Sequence, residues 1–481
     1  MEVYSVTSDD FDGLNLNKED VLVNSLRLLN KDVAVAVLMA QALVVPGFAA
    51  GFQLNETSPS LQGSAMAGAA AANNDVSALF NNPATLSTLK ETQFYLGASE
   101  FLPNIQMSSG SAIHTFNVPG IPSSSFTAPV NGRAHQDKVS KSAFIPNGSL
   151  GWRFADKFSV GVAIVEPYYL SNHYAQDSVV RFASVKSELN SVNINPSLAY
   201  QVSEQWSLGV GFQAQYLKTV FSNFNGIYTG LAPMDSLLAA TRPSYLESDG
   251  WGYGYTLGGL YQPDEFTRVG ISYRSQISTS LSGAGTQYTL PGSEVVSTTA
   301  RTFLFNGESG VDTHIKTPGV LALGLARDIN DWTLKGSFQV NFWNRINNLR
   351  INMPATFETA DVIPMKWRNS WFAALGADYR YNSAWTARAG VAFDQTPTRD
   401  TRRDPRIPDQ DRFWLNMGLS YFLNNHLSVD GAYSHIFMND KTVKVLQKNM
   451  RVPGAVVESN QIRAQYTGSD NVVSLAIRYR C

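Results

Sequence analysis

Long stretches of the chain alternate between apolar and polar residues with a period of two. In Trp206–Tyr216 one face is apolar or aromatic, and the other carries only Ser, Gly and Gln. Asp331–Phe342 and the last segment, Val473–Tyr479, repeat the alternation. Successive side chains of a strand point to opposite faces, so each segment predicts a β-strand. A soluble β-sandwich would alternate in the same way. Strands of about ten residues with aromatic residues near their ends favour a membrane barrel instead.

Short turns and longer loops alternate along the chain after Thr92. Short turns are predicted at 155–157, 203–205, 262–267, 327–331, 381–384 and 424–426. Longer loops are predicted at 104–140, 171–178, 220–249, 281–311, 344–365, 396–411 and 440–470. These turns and loops divide the chain into fourteen strands, with both termini on the short-turn side. In outer-membrane barrels the short turns face the periplasm. The predicted fold is therefore an all-β, antiparallel transmembrane barrel of about fourteen strands.

The segment that precedes the strands has a different composition. Residues 50–91 show no period-two pattern and are rich in Ala, Ser, Asn and Gly. A barrel of this size encloses more space than its own side chains fill. Small residues on the inward phase of one strand, such as Gly254 and Gly258, would leave room for a compact segment. We therefore predict that residues 50–91 form a plug, or hatch, inside a barrel of residues 92–481.

The N-terminal residues carry a targeting signal. Val33–Val45 is a mostly apolar run of 13 residues that follows Arg27 and Lys31. A run of this length is too short to span a bilayer as a helix but suits the core of a signal peptide. Gly47 and Ala49 are the small residues that precede a cleavage site. Residues 1–49 are therefore predicted to be an extension and signal peptide, removed after Ala49.

Composition excludes several classes of function. Net charge is −2, so no surface for nucleic acid is indicated, and the mean hydropathy of −0.14 is too polar for a bundle of membrane helices. The single cysteine, Cys481, permits no disulfide within the chain and no thiol-based zinc site. The six histidines are dispersed, and neither HExxH nor GxSxG occurs. No enzyme activity, metal or cofactor is therefore expected.

Several short motifs occur in the order found in one family. They are "AGFQLNE" (50–56), "NPA" (82–84), "GYTLGGLYQP" (254–263), "YRS" (273–275) and "AGVAFDQTPTRDTRRDPRIPDQDRFWL" (389–415). Together they resemble the FadL-type long-chain fatty acid outer-membrane transporters across residues 50–481. The resemblance implies a fourteen-stranded barrel with an N-terminal hatch. One departure is Cys481, which takes the place of the usual aromatic C-terminal residue.

The resemblance also implies a function. Members of the family move hydrophobic molecules passively across the outer membrane, chiefly long-chain fatty acids and, in some branches, aromatic hydrocarbons. Outer loops capture the ligand, a lumen pocket holds it, and it leaves sideways through the wall. A monomer surrounded by outer-membrane lipid and lipopolysaccharide is the expected form. The alternatives are an uptake channel for aromatic hydrocarbons, a barrel with no transport role, such as an adhesin or a lipase, and a plain porin.

Charged residues on the inward phase are candidates for ligand contact. Arg153, Arg274, Lys335 and Arg388 fall on the polar phase of their strands, as do Asp378 and Asp430. Buried charges are ordinarily paired with one another. The alternative is that one cation remains to meet a fatty-acid carboxylate. Trp414 and Phe422 share the inward phase and are candidates for contact with the acyl chain.

Two long loops carry candidate capture residues. Leu237 and Leu238 lie in the loop 220–249, and Phe303 and Phe305 lie in the loop 281–311. In the family the corresponding loops form an apolar surface groove, and exposed apolar patches usually mark binding sites. The alternative is that the two loops simply pack on themselves.

One strand contains a proline where a barrel should be continuous. The strand that begins at Phe158 runs into Glu166 and Pro167. Proline gives no N–H to the ladder and a barrel has no edge, so a local opening in the wall is predicted. The stiff turn Asn81–Ala84 is predicted to supply backbone partners there, beside a lateral exit like that of the family. The alternative is that the turn only stabilises the hatch.

Overall fold

The fold is taken from a computed structural model of the chain. It describes residues 51–117, 125–224, 243–287, 307–352, 361–449 and 458–481. The predicted signal peptide and the loop residues Leu237, Leu238, Phe303 and Phe305 lie outside these described residues. No helix among the described residues is long and apolar enough to cross a bilayer.

The described residues form one antiparallel sheet of 21 strands. The strands are β1 Gln93–Phe101, β2 Asn104–Asn117, β3 Ser125–Pro129, β4 Ala143–Ala155, β5 Phe158–Val165, β6 Tyr169–His173, β7 Lys186–Gln201, β8 Trp206–Asn223, β9 Ser244–Tyr261, β10 Thr267–Arg274, β11 Ile277–Gln287, β12 Gly307–Thr317, β13 Val320–Ile329, β14 Trp332–Asn341, β15 Asn348–Asn352, β16 Asp361–Pro364, β17 Ser370–Arg380, β18 Trp385–Asp394, β19 Arg412–Phe422, β20 Leu427–Asn449 and β21 Glu458–Arg480. Seven crossings of the membrane are interrupted, and each of these is made of two consecutive strands. They are β1/β2, β3/β4, β5/β6, β10/β11, β12/β13, β14/β15 and β16/β17. The sheet therefore crosses the membrane fourteen times, as predicted.

The sheet closes on itself between its first and last strands. β1 pairs with β21 from Gln93 opposite Arg480 to Phe101 opposite Val472, and its other edge pairs with β4. Backbone hydrogen bonds between Thr92 and Cys481 continue the seam, with N–O distances of 3.1 and 3.0 Å. Six short turns lie at the same end as these termini. The closed barrel and its short-turn end are thus confirmed.

The two faces of the wall follow the period-two pattern. Leu96, Leu208, Leu375 and Leu475 are exposed on the outside, as membrane-facing residues must be. Near the short turns, aromatic pairs lie side by side on neighbouring strands, with ring centroids 4.4 Å apart for Trp206 and Tyr261. Trp332–Tyr379 and Trp385–Tyr421 repeat the arrangement at 4.5 and 4.4 Å. These pairs form an interfacial girdle.

The hatch occupies the lumen. Its elements are a one-turn helix α1 (Pro59–Gln62) and three 3₁₀ helices, Ala69–Ala71, Val76–Ala78 and Pro83–Thr88. Wall glycines allow a close approach. A Cβ added to Gly258 would lie 2.0 Å from Asn82 Oδ1, and one added to Gly418 would lie 2.6 Å from Gly63 Cα. Any side chain at these two positions would collide with the hatch, so the predicted internal plug is confirmed.

Candidate functional site

The wall is interrupted beside Pro167. Pairing of β4 with β5 ends at Gly148 opposite Ile164. The next contact between these two crossings in the described chain is the hydrogen bond from Lys141 N to Ser171 O, at 3.1 Å. Between these points, no described backbone hydrogen bond joins residues 142–147 to residues 165–170. An opening thus lies where the proline predicted one.

The first residues of the hatch fill this opening. Leu54 N donates to Pro167 O at 2.8 Å, and Tyr169 N donates to Phe52 O at 2.8 Å. Gln53 and Tyr168 form an antiparallel bridge between these two bonds. The hatch segment Phe52–Leu54 therefore takes the place of the missing strand neighbour, and backbone groups that would otherwise face lipid unpaired are satisfied.

On the side of Pro167 that faces β7, the chain is kinked, and side-chain hydrogen bonds take the place of backbone hydrogen bonds between the strands. Ser191 N donates to Glu166 Oε1 at 3.2 Å, and Tyr168 N donates to Ser191 Oγ at 2.9 Å. Ser191 Oγ in turn donates to Tyr168 O at 2.6 Å. Glu166 and Ser191 thus hold the kinked strand to β7.

The predicted partner of the kink, the turn Asn81–Ala84, lies elsewhere. Asn82 Nδ2 donates to Ala70 O at 2.6 Å and to Gly259 O at 3.1 Å, and its Oδ1 caps Ala84 N at 3.0 Å. Ser272 Oγ donates to Asn81 O at 2.6 Å. The turn is therefore bound to β9 and β10, and the prediction that it supplies the hydrogen bonds at Pro167 was wrong. Pro83 opens the 3₁₀ helix Pro83–Thr88, where its missing N–H does no harm.

A cavity of about 390 Å³ lies on the long-loop side of the hatch. Its apolar surface comes from Phe52, Leu170, Leu189, Ile315, Ile363, Met365 and Ile407. Its basic rim consists of Lys316, Arg345, Arg350 and Arg406, with His314 beside them. Arg406 is paired with Asp404 at 3.1 Å. An apolar cleft of this volume with a few polar groups is typical of a small-ligand site.

Phe52 belongs to both the cavity and the opening. Its ring packs edge-on against Trp343, with centroids 4.9 Å apart, and lies 5.6 Å from Trp367 and 5.9 Å from Tyr168. Its backbone carbonyl accepts the hydrogen bond that seals the opening. A ligand that displaces the Phe52 ring would therefore act directly on the seal.

Two of the four predicted lumen cations, Lys335 and Arg388, are paired with carboxylates. Lys335 Nζ lies 2.6 Å from Asp378 Oδ1, and Arg388 Nε lies 3.4 Å from Asp378 Oδ2. The series continues through Asp430 to Arg478, which ends on Asp75 of the hatch at 2.8 Å. Three cations and three carboxylates alternate in this series, which we call the ion-pair ladder, so its net charge is zero. The ordinary structural use of buried charges therefore holds for Lys335 and Arg388.

Arg274 differs from these residues. Its guanidinium lies over the ring of Phe80, with Cζ 4.2 Å from the centroid. Among the described residues, no carboxylate lies within ion-pair distance of it. Arg274 is therefore a lumen cation whose charge is met by an aromatic face rather than by an acid.

None of the six predicted lumen residues, all of which are described, lines the cavity. Arg153 donates to Gln201 Oε1 at 3.0 Å and to Ser87 O at 3.4 Å. Trp414 is buried against Phe372, with centroids 5.5 Å apart. Phe422 lies at the short-turn end under Arg480. The cavity residues were missed because they come from separate elements far apart in the sequence. Phe52, Arg406 and Ile407 lie in the family motifs, but those motifs do not indicate that the three residues share a cavity.

The comparison with known proteins identifies the family. The family model described as "Outer membrane protein transport protein (OMPP1/FadL/TodX)" matches residues 40–481. The chain belongs to the FadL family. It is thus an outer-membrane β-barrel that transports hydrophobic molecules, and the family is one of transporters rather than enzymes.

Several relatives of this FadL-family chain are similar along most of their length. The "Long-chain fatty acid transport protein" of Salmonella typhi is 29% identical over 434 residues, which is 86% of this chain and 92% of the relative. "Outer membrane protein P1" of Haemophilus influenzae is 28% identical over 409 residues, covering 81% and 86%.

Solved structures agree on the fold. A Pseudomonas aeruginosa FadL homologue superposes with a TM-score of 0.73 at 25% identity, covering 90% of this chain and 100% of that one. The Ralstonia pickettii toluene transporter TbuX gives 0.61 at 19% identity, covering 88% and 98%. At that identity the toluene transporter supports the fold alone.

Proposed function

We propose that this protein takes up long-chain fatty acids by passive diffusion. The ligand binds in the cavity and leaves sideways through the opening at Pro167. The observation that carries this proposal is the double position of Phe52, whose ring lines the cavity and whose carbonyl seals the opening. A single copy contains both features, so we propose the monomer as the functional unit, embedded in outer-membrane lipid and lipopolysaccharide.

The cavity fits an amphiphile with one long chain. Burying a methylene group contributes about 0.8 kcal/mol, so ten methylenes contribute roughly 8 kcal/mol, which corresponds to a Kd near 1 μM. The apolar surface of the cavity thus accounts for useful affinity without any polar contact. The basic rim then selects a carboxylate over a neutral head. Arg274 does not line the cavity, and we propose it as a second, separate site for the carboxylate in the lumen.

Ligand binding and release are coupled through the hatch. The seal consists of the two backbone hydrogen bonds that join Leu54 to Pro167 and Tyr169 to Phe52. Each is worth about 1 kcal/mol net, so opening the seal costs about 2 kcal/mol. Burial of a few methylenes in place of the Phe52 ring offsets that cost.

The first experiment measures uptake of labelled oleate and labelled toluene by cells that lack other FadL-family proteins. Expression of the full chain should support oleate uptake. Ile315→Trp fills the cavity and should reduce oleate uptake at least tenfold. Ile271→Trp changes an exposed, lipid-facing residue of the neighbouring wall and serves as the matched control. Uptake of toluene but not oleate would replace the fatty acid by an aromatic hydrocarbon as the substrate.

The second experiment tests the exit. Pro167→Val restores an N–H and favours a continuous strand, so it should lower oleate uptake severalfold while the barrel still assembles. Pro196→Val is the control, because Pro196 lies in β7 opposite Val162, where the pairing of β5 with β7 is continuous. Normal uptake by an assembled Pro167→Val variant would refute lateral exit through this opening.

A further inference from the structure

A second interruption of the wall lies between β12 and β14–β15. On the short-turn side of it, Phe342 N donates to Gly319 O at 2.8 Å, and β13 pairs with β14. On the long-loop side of it, the described residues of β12 and β15 are joined by two residue pairs, Asp312–Asn352 and Thr313–Ile351. Between these closures, the described ladder joins none of residues 314–318 to residues 343–350.

The backbone on the far side of this interruption is hydrogen-bonded to the following crossing. Met365 N and Lys366 N both donate to Asn347 O at 2.9 Å, and Trp367 N donates to Ile346 O at 3.2 Å. The chain around Asn347 thus bonds to the following crossing, and no described backbone hydrogen bond joins it to residues 314–318 of the neighbouring crossing. Pro318 lacks an N–H at the same level, so it also favours an unpaired edge.

The cavity passes through this interruption. Ile315 faces inward and is buried, as the alternation of β12 requires. Ser278 and Lys316 lie opposite each other on the outward phase of β11 and β12. All three residues line the same cavity. Residues on opposite faces of a strand can line one cavity only where the cavity crosses the wall.

The opening lies at the level of the outer lipid headgroups. Lys316 is thirteen residues above Ile329, the last residue of β13 at the short-turn end. At about 3.3 Å per residue and a tilt near 40°, this distance corresponds to roughly 33 Å. The apolar band of such barrels is about 25 Å tall, so Lys316 lies just beyond its outer edge.

We propose that this second opening is a side inlet through which single-chain anionic amphiphiles pass from the outer leaflet into the cavity. This inference rests on the proposed function and adds a route to it. Lys316, Arg345 and Arg350 are exposed around the opening and attract a carboxylate at headgroup level. The inward-facing Ile315 and Phe52 behind them accept the chain.

The two openings differ in height and in closure. Pro167 is nine residues above Phe158, at roughly 23 Å by the same geometry, and so lies within the apolar band. That opening is sealed by the hatch segment Phe52–Leu54, whereas the hatch forms no backbone bond to the described residues around the second one. The geometry therefore suits an inlet at headgroup level and a sealed exit about 10 Å deeper.

The test uses the full-length mature protein in phosphatidylcholine vesicles with oleate that carries a diazirine near its carboxyl end. Flash photolysis at successive times after mixing, followed by peptide mapping, gives the rate and the final level of labelling. We expect early labelling around Ser278 and Lys316 and later labelling around Phe52. Ser278→Trp should slow labelling around Phe52 about tenfold and leave its final level within twofold.

The matched control is Ser282→Trp, which changes an exposed residue of the same strand and phase one level above the cavity. Lys316→Glu is a second variant, which should slow loading of the oleate probe but not of the corresponding oleyl alcohol probe. Labelling around Phe52 with no labelling around Ser278, or an unchanged rate in both variants, would overturn the inlet and leave the cavity intact. No labelling around Phe52 in the parent protein would overturn the proposed function itself.

Discussion

Asn82→Ala should loosen the hatch without opening the barrel. Asn82 is fully buried, and its side chain makes three hydrogen bonds. Two bind the carbonyls of Ala70 in the hatch and Gly259 in the wall, and the third caps the 3₁₀ helix that begins at Pro83. Alanine removes all three and leaves buried backbone groups without these partners.

The size of the effect follows from the count of bonds. Each hydrogen bond contributes about 1 kcal/mol net, and loss of a cap costs a similar amount. The change should therefore destabilise the docked hatch by about 3 kcal/mol, which is roughly a 150-fold increase in the undocked population. The barrel strands keep all their ladder bonds.

Hydrogen exchange followed by mass spectrometry measures this population. Hatch amides should exchange about 100-fold faster in Asn82→Ala, while β18 to β21 stay unchanged and the protein remains heat-modifiable on gels. Asn81→Ala is the matched control, because the half-buried Asn81 side chain makes one bond of 3.2 Å, to Thr57. The reasoning fails if both variants behave alike, or if Asn82→Ala accelerates hatch exchange less than about fivefold.

Three further predictions concern charge and the seal. Arg274→Gln should weaken oleate binding about tenfold and leave binding of methyl oleate unchanged, whereas Lys335→Gln should not alter their ratio. Burial alone would raise the pKa of Asp75, but the Arg478 guanidinium and hydroxyl hydrogen bonds outweigh it and lower the pKa from 3.8 to about 2. The stabilisation is thus complete above pH 3.8 and is lost as the pH falls towards 2, which pH-dependent hydrogen exchange of the hatch would show; Asp75→Asn should abolish that dependence. Phe52→Ala should accelerate exchange of the Leu54 amide and of few others, and uniform acceleration throughout the hatch would contradict a local seal.

The barrel could be predicted from sequence because each crossing carries its own signal. A strand that separates lipid from lumen must alternate, as Trp206–Tyr216 does, and the pattern needs no knowledge of neighbouring strands. The interruption of the wall at Pro167 could be predicted in the same way, because the missing N–H is a property of one residue. Both inferences depend only on local covalent and steric facts.

The partner of the kink could not be predicted in the same way. The hatch has no period, so its sequence does not say which of its residues meets which strand. "FQL" (Phe52–Leu54) alternates apolar, polar, apolar, but three residues are too few to indicate a strand. The Asn81–Ala84 turn carried the stronger local signal, yet its hydrogen bonds go to β9 and β10. Contacts between residues more than 100 positions apart decided the outcome.

The proposed route works without an energy source because of where the acyl chain rests at each stage. Moving the chain from water into the cavity is strongly favourable, since apolar surface leaves water. Moving it from the cavity into the bilayer is nearly neutral, since lipid tails are as apolar as the residues they replace. Tight binding of the chain therefore does not trap the ligand. The head is the group that differs between sites, so the rim of Lys316, Arg345 and Arg350, and then Arg274, must hold the carboxylate weakly enough to release it. A cation already paired with a carboxylate, as Lys335 is, would have to break that pair first. For this reason we expect ligand-binding charge in this chain at Arg274 and the cavity rim, and not along the ion-pair ladder.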